Sequence, residues 1–439
     1  MSKYLNIPLL AAVFAISGVT LAKAESNIEF TGLFESTLAV GTATSGVQSA
    51  DTILTVEMGV DLSQKTRLTI IGRIRSDFAD NLEPGKPSQH NRSNWSKRLL
   101  LGDHIDAELR EAYVDMEIGS TFLRLGKQQV VWGQADGLKV LDVLNPQSFR
   151  EFVLADFEDS RIPLWTLNAE IPIGNAFLQL LWIPDRTYDD IPAAGATYAF
   201  TSPLIVPQAP ANVPVTLLPP ERPDHFFKDS DVAMKLAAFV GGWDLSFNYA
   251  FHYVDKPVIR RELTANGIIV LPTYERTHLV GGTFSNVFGE FTLRGEVGYS
   301  TDMYFLSDDP LDDDGVVRSG ELSYVLGLDF QGWRDWFISV QVFQSIVTNP
   351  VPGMVRDKVD TSMTLLLRRD FMNEVLTAEV LWIQSINHGD GLVQMSLEYE
   401  LRSNVRLKLG ADIFYGSSQG LFGQFDHNDR VTMAVEIGF

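Results

Sequence analysis

From Ile28 onward the prevailing apolar pattern is alternation, nearly strict over ten residues in several stretches. Trp243, Leu245, Phe247, Tyr249, Phe251 and Tyr253 alternate with Asp244, Ser246, Asn248, Ala250 and His252. Val393, Met395, Leu397, Tyr399 and Leu401 alternate in the same way with Gln394, Ser396, Glu398 and Glu400. A period of two sends successive side chains to opposite faces, so these segments read as strands with one apolar and one polar face. The pattern predicts strands from Ile28–Val40, Thr52–Leu62, Thr66–Phe78, Ile105–Ile118 and Thr121–Trp132 through to Gly320–Phe330, Val405–Tyr415 and Arg430–Phe439. Their number comes to about 18, within 16–18.

The connections alternate as well. Tight turns such as Gly119-Ser120, Gly241-Gly242 and Ser403-Asn404 follow the even strands, whereas Ala79–Asp103, Gly133–Pro163, Pro184–Ser230 and Asp255–Glu275 follow odd ones. Short turns on one side and long loops on the other predict an all-β fold: a transmembrane antiparallel β-barrel with short periplasmic turns and long extracellular loops. A soluble sandwich is the plain alternative, but it leaves the one-sided loop asymmetry unexplained. The last strand alternates through Val431, Met433, Val435 and Ile437 to a terminal Phe439. This ending resembles the terminal signature of Gram-negative outer-membrane proteins, which the barrel assembly machinery reads.

The N-terminus agrees. Lys3, the apolar run Ile7–Val19 and the small-x-small triplet Ala22-Lys23-Ala24 predict a secretory signal peptide over residues 1–24, cleaved near Ala24. Residues 25–439 then form a single barrel in the Gram-negative outer membrane, with lipid and lipopolysaccharide around it. A first strand at Ile28 leaves no room for an N-terminal plug domain. The chain has 439 residues, 35 basic against 56 acidic, a net charge of -21 and no cysteine. That composition rules out disulfides and thiolate chemistry and argues against a nucleic-acid partner, because the chain repels phosphate. Past residue 25 no run approaches the roughly 18 apolar residues of a helical membrane span.

If the apolar parity faces lipid, the other parity lines the lumen. Arg67, Thr69, Arg73, Arg75 and Asp77 then point inward. A two-residue turn at Gly119-Ser120 sets Asp115 opposite Arg124, Glu111 opposite Gln128 and Tyr113 over Gly126. Arg294, Glu296, Arg368, Glu379, Glu398, Glu400, Arg406, Lys408, Asp412 and Glu436 join them. Any single pair can be read as mutual neutralisation. As a set, charges of both signs require water inside, and a wetted barrel of this size implies a path.

Within Gly133–Pro163, Asn145 and Pro146 look like the cap and first residue of a short helix over Gln147–Asp156. Phe149, Phe152 and Val153 would share its apolar face, with Arg150, Glu151 and Asp156 free to meet polar groups. Such a segment either folds into the barrel and constricts it or caps the outer surface. The run Leu123-Arg124-Leu125-Gly126-Lys127-Gln128-Gln129-Val130-Val131-Trp132-Gly133 continues through Asn145-Pro146 and Phe149-Arg150-Glu151 to Asp156-Phe157-Glu158-Asp159 and Arg161-Ile162-Pro163. It resembles a proteobacterial family of porin-like outer-membrane barrels classed as a domain of unknown function. The resemblance is specific from about Glu111 to Ile171 and weaker elsewhere. It implies a transport role in the envelope, for lipid-like or other hydrophobic compounds, beside periplasmic lipid-binding proteins or exporters of the resistance-nodulation-division class. It brings no catalytic residues.

The leading expectation is a porin-like channel whose selectivity is set by Arg73, Arg75, Glu111, Asp115, Arg124, Gln128, Arg150, Glu151 and Asp156, with no cofactor or metal. Alternatives are a loop-plugged structural barrel, a gated lateral transporter using the proline-rich, apolar Pro184–Ser230 loop, or an enzyme built on the rim residue His252. The acidic group Asp308, Asp309, Asp312, Asp313 and Asp314 lacks the spacing of an EF-hand loop and reads as a solvated loop.

Overall fold

The computed structural model describes residues 27–43, 46–210 and 212–439, so the predicted signal peptide lies outside the described residues. Eighteen strands close into an antiparallel barrel. They are β1 Ile28–Gly41, β2 Val47–Ser63, β3 Thr66–Asp77, β4 Ile105–Ile118, β5 Thr121–Gln128, β6 Leu164–Ile173, β7 Ala176–Ile183, β8 Asp231–Val240 and β9 Trp243–Tyr253. The second half comprises β10 Arg276–Phe288, β11 Phe291–Leu306, β12 Val316–Phe330, β13 Trp336–Val347, β14 Val359–Phe371, β15 Leu376–Ser385, β16 Gly391–Arg402, β17 Val405–Tyr415 and β18 Arg430–Gly438. Each strand pairs with the next, and β1 closes against β18 in the register Leu33↔Gly438 to Gly41↔Arg430.

Phe439 extends the closure by one more pair. The Gly32 N–H donates to the Phe439 carbonyl at 2.8 Å and the Phe439 N–H to the Gly32 carbonyl at 2.9 Å. The Phe439 ring lies over Gly32, where an added Cβ would sit 2.3 Å from it. Only a bare backbone admits the ring.

Burial is inside out. Outward residues such as Phe247 and Met433 are 48% and 58% exposed, whereas the inward polar residues Asn248 and Gln341 are 0% and 1% exposed. An apolar belt around a polar interior is the pattern that a bilayer selects. Aromatic pairs mark both ends of the belt, with Phe291, Phe330 and Trp333 at the short-turn end and Trp182, Phe226 and Phe227 at the long-loop end.

Some boundaries depart from the pattern. β2 and β12 start earlier than the alternation predicts, at Val47 and Val316. β5 stops at Gln128 rather than Trp132, because the Val130 N–H is taken by Asn145 Oδ1 at 2.8 Å and the Trp132 indole donates to Gln179 at 3.0 Å, drawing the chain inward. Part of the connection between β9 and β10 is a hairpin, Val258–Thr264 with Gly267–Thr273, to which Val215–Leu217 of the proline-rich loop adds in parallel.

The helix predicted over Gln147–Asp156 does not form. Gln147 and Ser148 make bridges to Arg161 and Asp190, turns follow, and Phe152 adopts φ 55°. The helical turn is Phe157–Ser160, with Asp156 as its N-cap residue. Asn145 is not a cap: its side chain accepts from Val130 and donates to the Ile162 carbonyl at 2.9 Å, joining the two limbs of the segment. Tertiary partners for the backbone replace those that a helix would have supplied.

Candidate functional site

The segment after β5 enters the lumen and crosses it. Its first limb packs Val130, Trp132, Leu141 and Leu144 against the inward residues Leu181, Ala233, Ala250 and Leu279 of β7 to β10. Gly281 and Gly298 face each other across β10 and β11, and the Leu141 methyl fills the notch above them, within 2.6 and 2.9 Å of where their Cβ atoms would stand. Glu296 on β11 accepts the Leu141 N–H at 3.1 Å and also that of Gln134. Arg294 donates to the Gln134 carbonyl and to Asp136, and Gln341 of β13 donates to Asp136 at 2.8 Å.

The second limb reaches the opposite wall. Phe152 is buried in a cluster with Ile383, Leu392 and Phe414 from β15 to β17 and with the loop residues Leu82, Tyr198, Phe422 and Phe425. Tyr198 brings the start of the proline-rich loop into the mouth, while Val215 and Leu217 remain exposed.

Arg150 sits beside Phe152 in a cage of carboxylates. Its guanidinium donates to both Asp51 oxygens at 2.8 and 2.9 Å and to Asp77 at 2.9 Å, and its Nε lies 3.2 Å from Glu83. Burial would raise the Glu83 carboxyl, but Arg75, Arg98 and Arg150 overcome this and hold it below the usual carboxylate range. Glu151 accepts from Arg430 at 2.7 Å, and Arg430 also donates to Asp412 at 2.6 Å.

The other expected lumen residues fall into separate groups. Arg75 pairs with Asp106 at 2.8 Å and with Glu83 at 2.9 Å, which joins it to the Arg150 cage. Arg73 pairs with Glu108 at 3.0 Å and lies 3.6 Å from Asp159. Asp115 and Arg124 are opposite each other as the turn register requires, 2.7 Å apart, with the guanidinium 4.0 Å from the Tyr113 ring centre. Asp156 is exposed, with its carbonyl taken by Ser160 at 2.9 Å.

The expected pairing of Glu111 with Gln128 is not made. The β4–β5 ladder ends at Ala112↔Lys127; Glu111 accepts from Gln129 at 3.1 Å, and Gln128 donates to the Thr166 carbonyl at 3.1 Å. The cause is local. On its other side β4 carries a bulge, with Ile71↔Glu111 followed by Gly72↔Leu109, and Gly126 adopts φ +138°, so parity slips on both strands.

The same slip hid Glu108. This carboxylate meets Arg73, Arg92 at 3.4 Å and Lys127 at 3.9 Å. Arg92 also binds Asp190. Arg92, Arg98 and Glu83 lie in the long loop before β4, where no periodicity marks them, and Asp51 falls one residue before the predicted start of its strand.

Desolvation varies within the lumen. Toward the long loops the Arg150 and Asp51 side chains are 8% and 7% exposed; toward the short turns, Lys408 and Glu398 are 34% and 35% exposed. His252 is buried with its Nδ1 2.8 Å from the Tyr253 carbonyl. Asp309 and Asp312 accept N–H groups of their own loop, and Asp314 pairs with Arg260.

A closed barrel with a lipid-facing belt, a charged lumen and an infolded loop defines the porin-type outer-membrane fold. The chain belongs to the family described as "Protein of unknown function (DUF1302)", which matches residues 52–320. Among solved structures it is similar to OccAB2 of Acinetobacter baumannii, with TM-score 0.54 and 10% identity over 94% of this chain and 98% of that one. OccAB3 of the same organism gives 0.51 at 10% identity over 94% and 98%, and OccK9 (OpdG) of Pseudomonas aeruginosa 0.50 at 11% identity over 94% and 97%. Comparison with curated proteins gives no match.

Proposed function

We propose that the barrel is an outer-membrane channel for a small or lipid-like solute, and that the segment Gly133–Pro163 closes its path when docked. The observation that carries this reading is the placement of that segment: it bridges opposite walls of a lumen lined with charge and is held to the barrel strands by side-chain contacts, its only backbone bridge to another segment being Ser148 to the loop residue Asp190 among the described residues. A displaceable element over a wetted lumen is what a gated pore requires. Arg150 and Glu151 hold the constriction, with Arg75 in the same network and Arg73 beside it. Asp115 and Arg124 line the half-exposed approach, and Asp156 faces it. Glu111 and Gln128 act at one remove, by fixing the wall where the segment departs. Barrel assembly machinery would insert the chain, and periplasmic lipid-binding proteins or exporters are the partners that the family resemblance implies.

Single-channel recording in planar bilayers tests the proposal, comparing wild type with Arg124 and Arg150 substitutions and with deletion of 142–156. We expect low or intermittent current in the wild type and stable, ion-selective current after deletion. Silence in both sinks the channel and favours a loop-plugged structural barrel, the reading to which the tight packing of the segment also lends weight.

A further inference from the structure

The tip of the segment has the chemistry of a ligand. Asp51 and Asp77 are directly opposite each other on β2 and β3, and two like charges in that relation destabilise a sheet unless a cation covers them. Here the cover is Arg150, which takes both Asp51 oxygens and one of Asp77. Two residues on, the Phe152 ring lies 4.9 Å from that of Phe425, 5.7 Å from Phe422, 6.1 Å from Phe200 and 6.2 Å from Phe414. The apolar floor of this box is wall: Ile383, Leu392 and Phe414 belong to strands and stay when the segment leaves.

The wall therefore carries two adjacent recesses, one asking for a cation and one for an aromatic ring. One movable tip fills both. We propose that the recesses form a binding site for a small aromatic organic cation, a benzyl-type amine, an amidine or a guanidine, and that Arg150 and Phe152 are its tethered surrogate in the closed state. This deepens the channel reading and rests on it: the cation is the class of solute that displaces the tip. Bidentate carboxylate geometry selects a planar cation such as amidinium or guanidinium. The aromatic lining supplies apolar contact and cation–π attraction. A carboxylate-bearing aromatic would meet Asp51 and Asp77 as like charges.

The test uses the full mature chain in detergent, with benzamidine as probe and benzoate and guanidinium as controls. In R150A/F152A the site is vacant, and benzamidine should bind at least about tenfold more tightly than to wild type, since the tethered tip no longer competes. Benzoate and guanidinium alone should bind at least about tenfold more weakly than benzamidine. Adding D51N/D77N should abolish the gain. A second measurement keeps the tip in place: the chain has no cysteine, so V153C gives a single thiol beside the tip, and benzamidine but not benzoate should speed its labelling severalfold.

Equal benzamidine affinity with and without the tip, indifference to D51N/D77N, or labelling unmoved by benzamidine each overturns the site. If R150A/F152A does not fold, the V153C labelling decides. Bilayer currents separate the two proposals. Benzamidine binding without current in any variant keeps the site and removes the channel; current without benzamidine binding keeps the channel and removes the site.

Discussion

Two halves of one lumen use the same charged side chains to different ends. Near the short turns Arg124–Asp115 and Lys408–Glu398 are partly hydrated pairs; near the long loops Arg150 and Arg92 are desolvated and bind carboxylates from wall and loop together. A hydrated pair contributes little because water competes for both partners. In the desolvated half, losing one partner strands the other without water. On the channel reading, charge in the first half would shape a path, whereas charge in the second would decide whether the path is covered.

Removing Arg150 should break this contrast most. In R150A the docked segment would bury Asp51 and Asp77 with no cation between them, a cost of about 3 kcal/mol to the docked state and roughly a hundredfold in its population. Thiol labelling of V153C reports that change, and channel current should rise with it. E296Q removes the charge from the acceptor that receives the Gln134 and Leu141 N–H groups. Undocking should then increase by about tenfold, at about 1.5 kcal/mol for hydrogen bonds to a charged group.

A smaller effect comes from Asp189, which lies in the loop after β7 and accepts the Gln147 N–H at 2.7 Å. Burial pushes its carboxyl up to about 6. The docked state thus favours the protonated form, so docking should strengthen as pH falls through about 6 and be fully favoured below its ordinary value of 3.8. Normalised to a free thiol at each pH, V153C should label more slowly at lower pH, and D189N should flatten the normalised profile. If labelling instead accelerates on acidification, Asp189 does not govern docking. The smallest change belongs to the hydrated half: R124A should leave labelling unaltered and shift the cation-to-anion permeability ratio by no more than about twofold. A larger shift would mean that the two halves are not distinct.

The strands were legible because a bilayer imposes a period of two over long stretches, and the Asp115–Arg124 pair followed from a turn whose Gly119 takes φ 64°. Arg150 and Glu151 were legible as charges in a segment able to enter the barrel, though not as parts of a helix. Glu108 and Lys127 were not, since the bulge at Arg110 and the φ of Gly126 shift parity in ways no alternation records. Arg92, Arg98 and Glu83 were hidden for another reason: a loop has no period, and its partners are decided by where its ends are anchored.

What the sequence determined by itself is the wall: strand positions, facing parity away from the slip in β4 and β5, and the one-sided loops. These follow from local alternation meeting an apolar solvent. The tertiary structure alone decided which wall carboxylates receive Arg150, which glycines receive Leu141 and which rings receive Phe152. Those contacts join residues far apart in sequence, and they exist because a desolvated charge or an unfilled notch takes the partner that the closed barrel brings within reach.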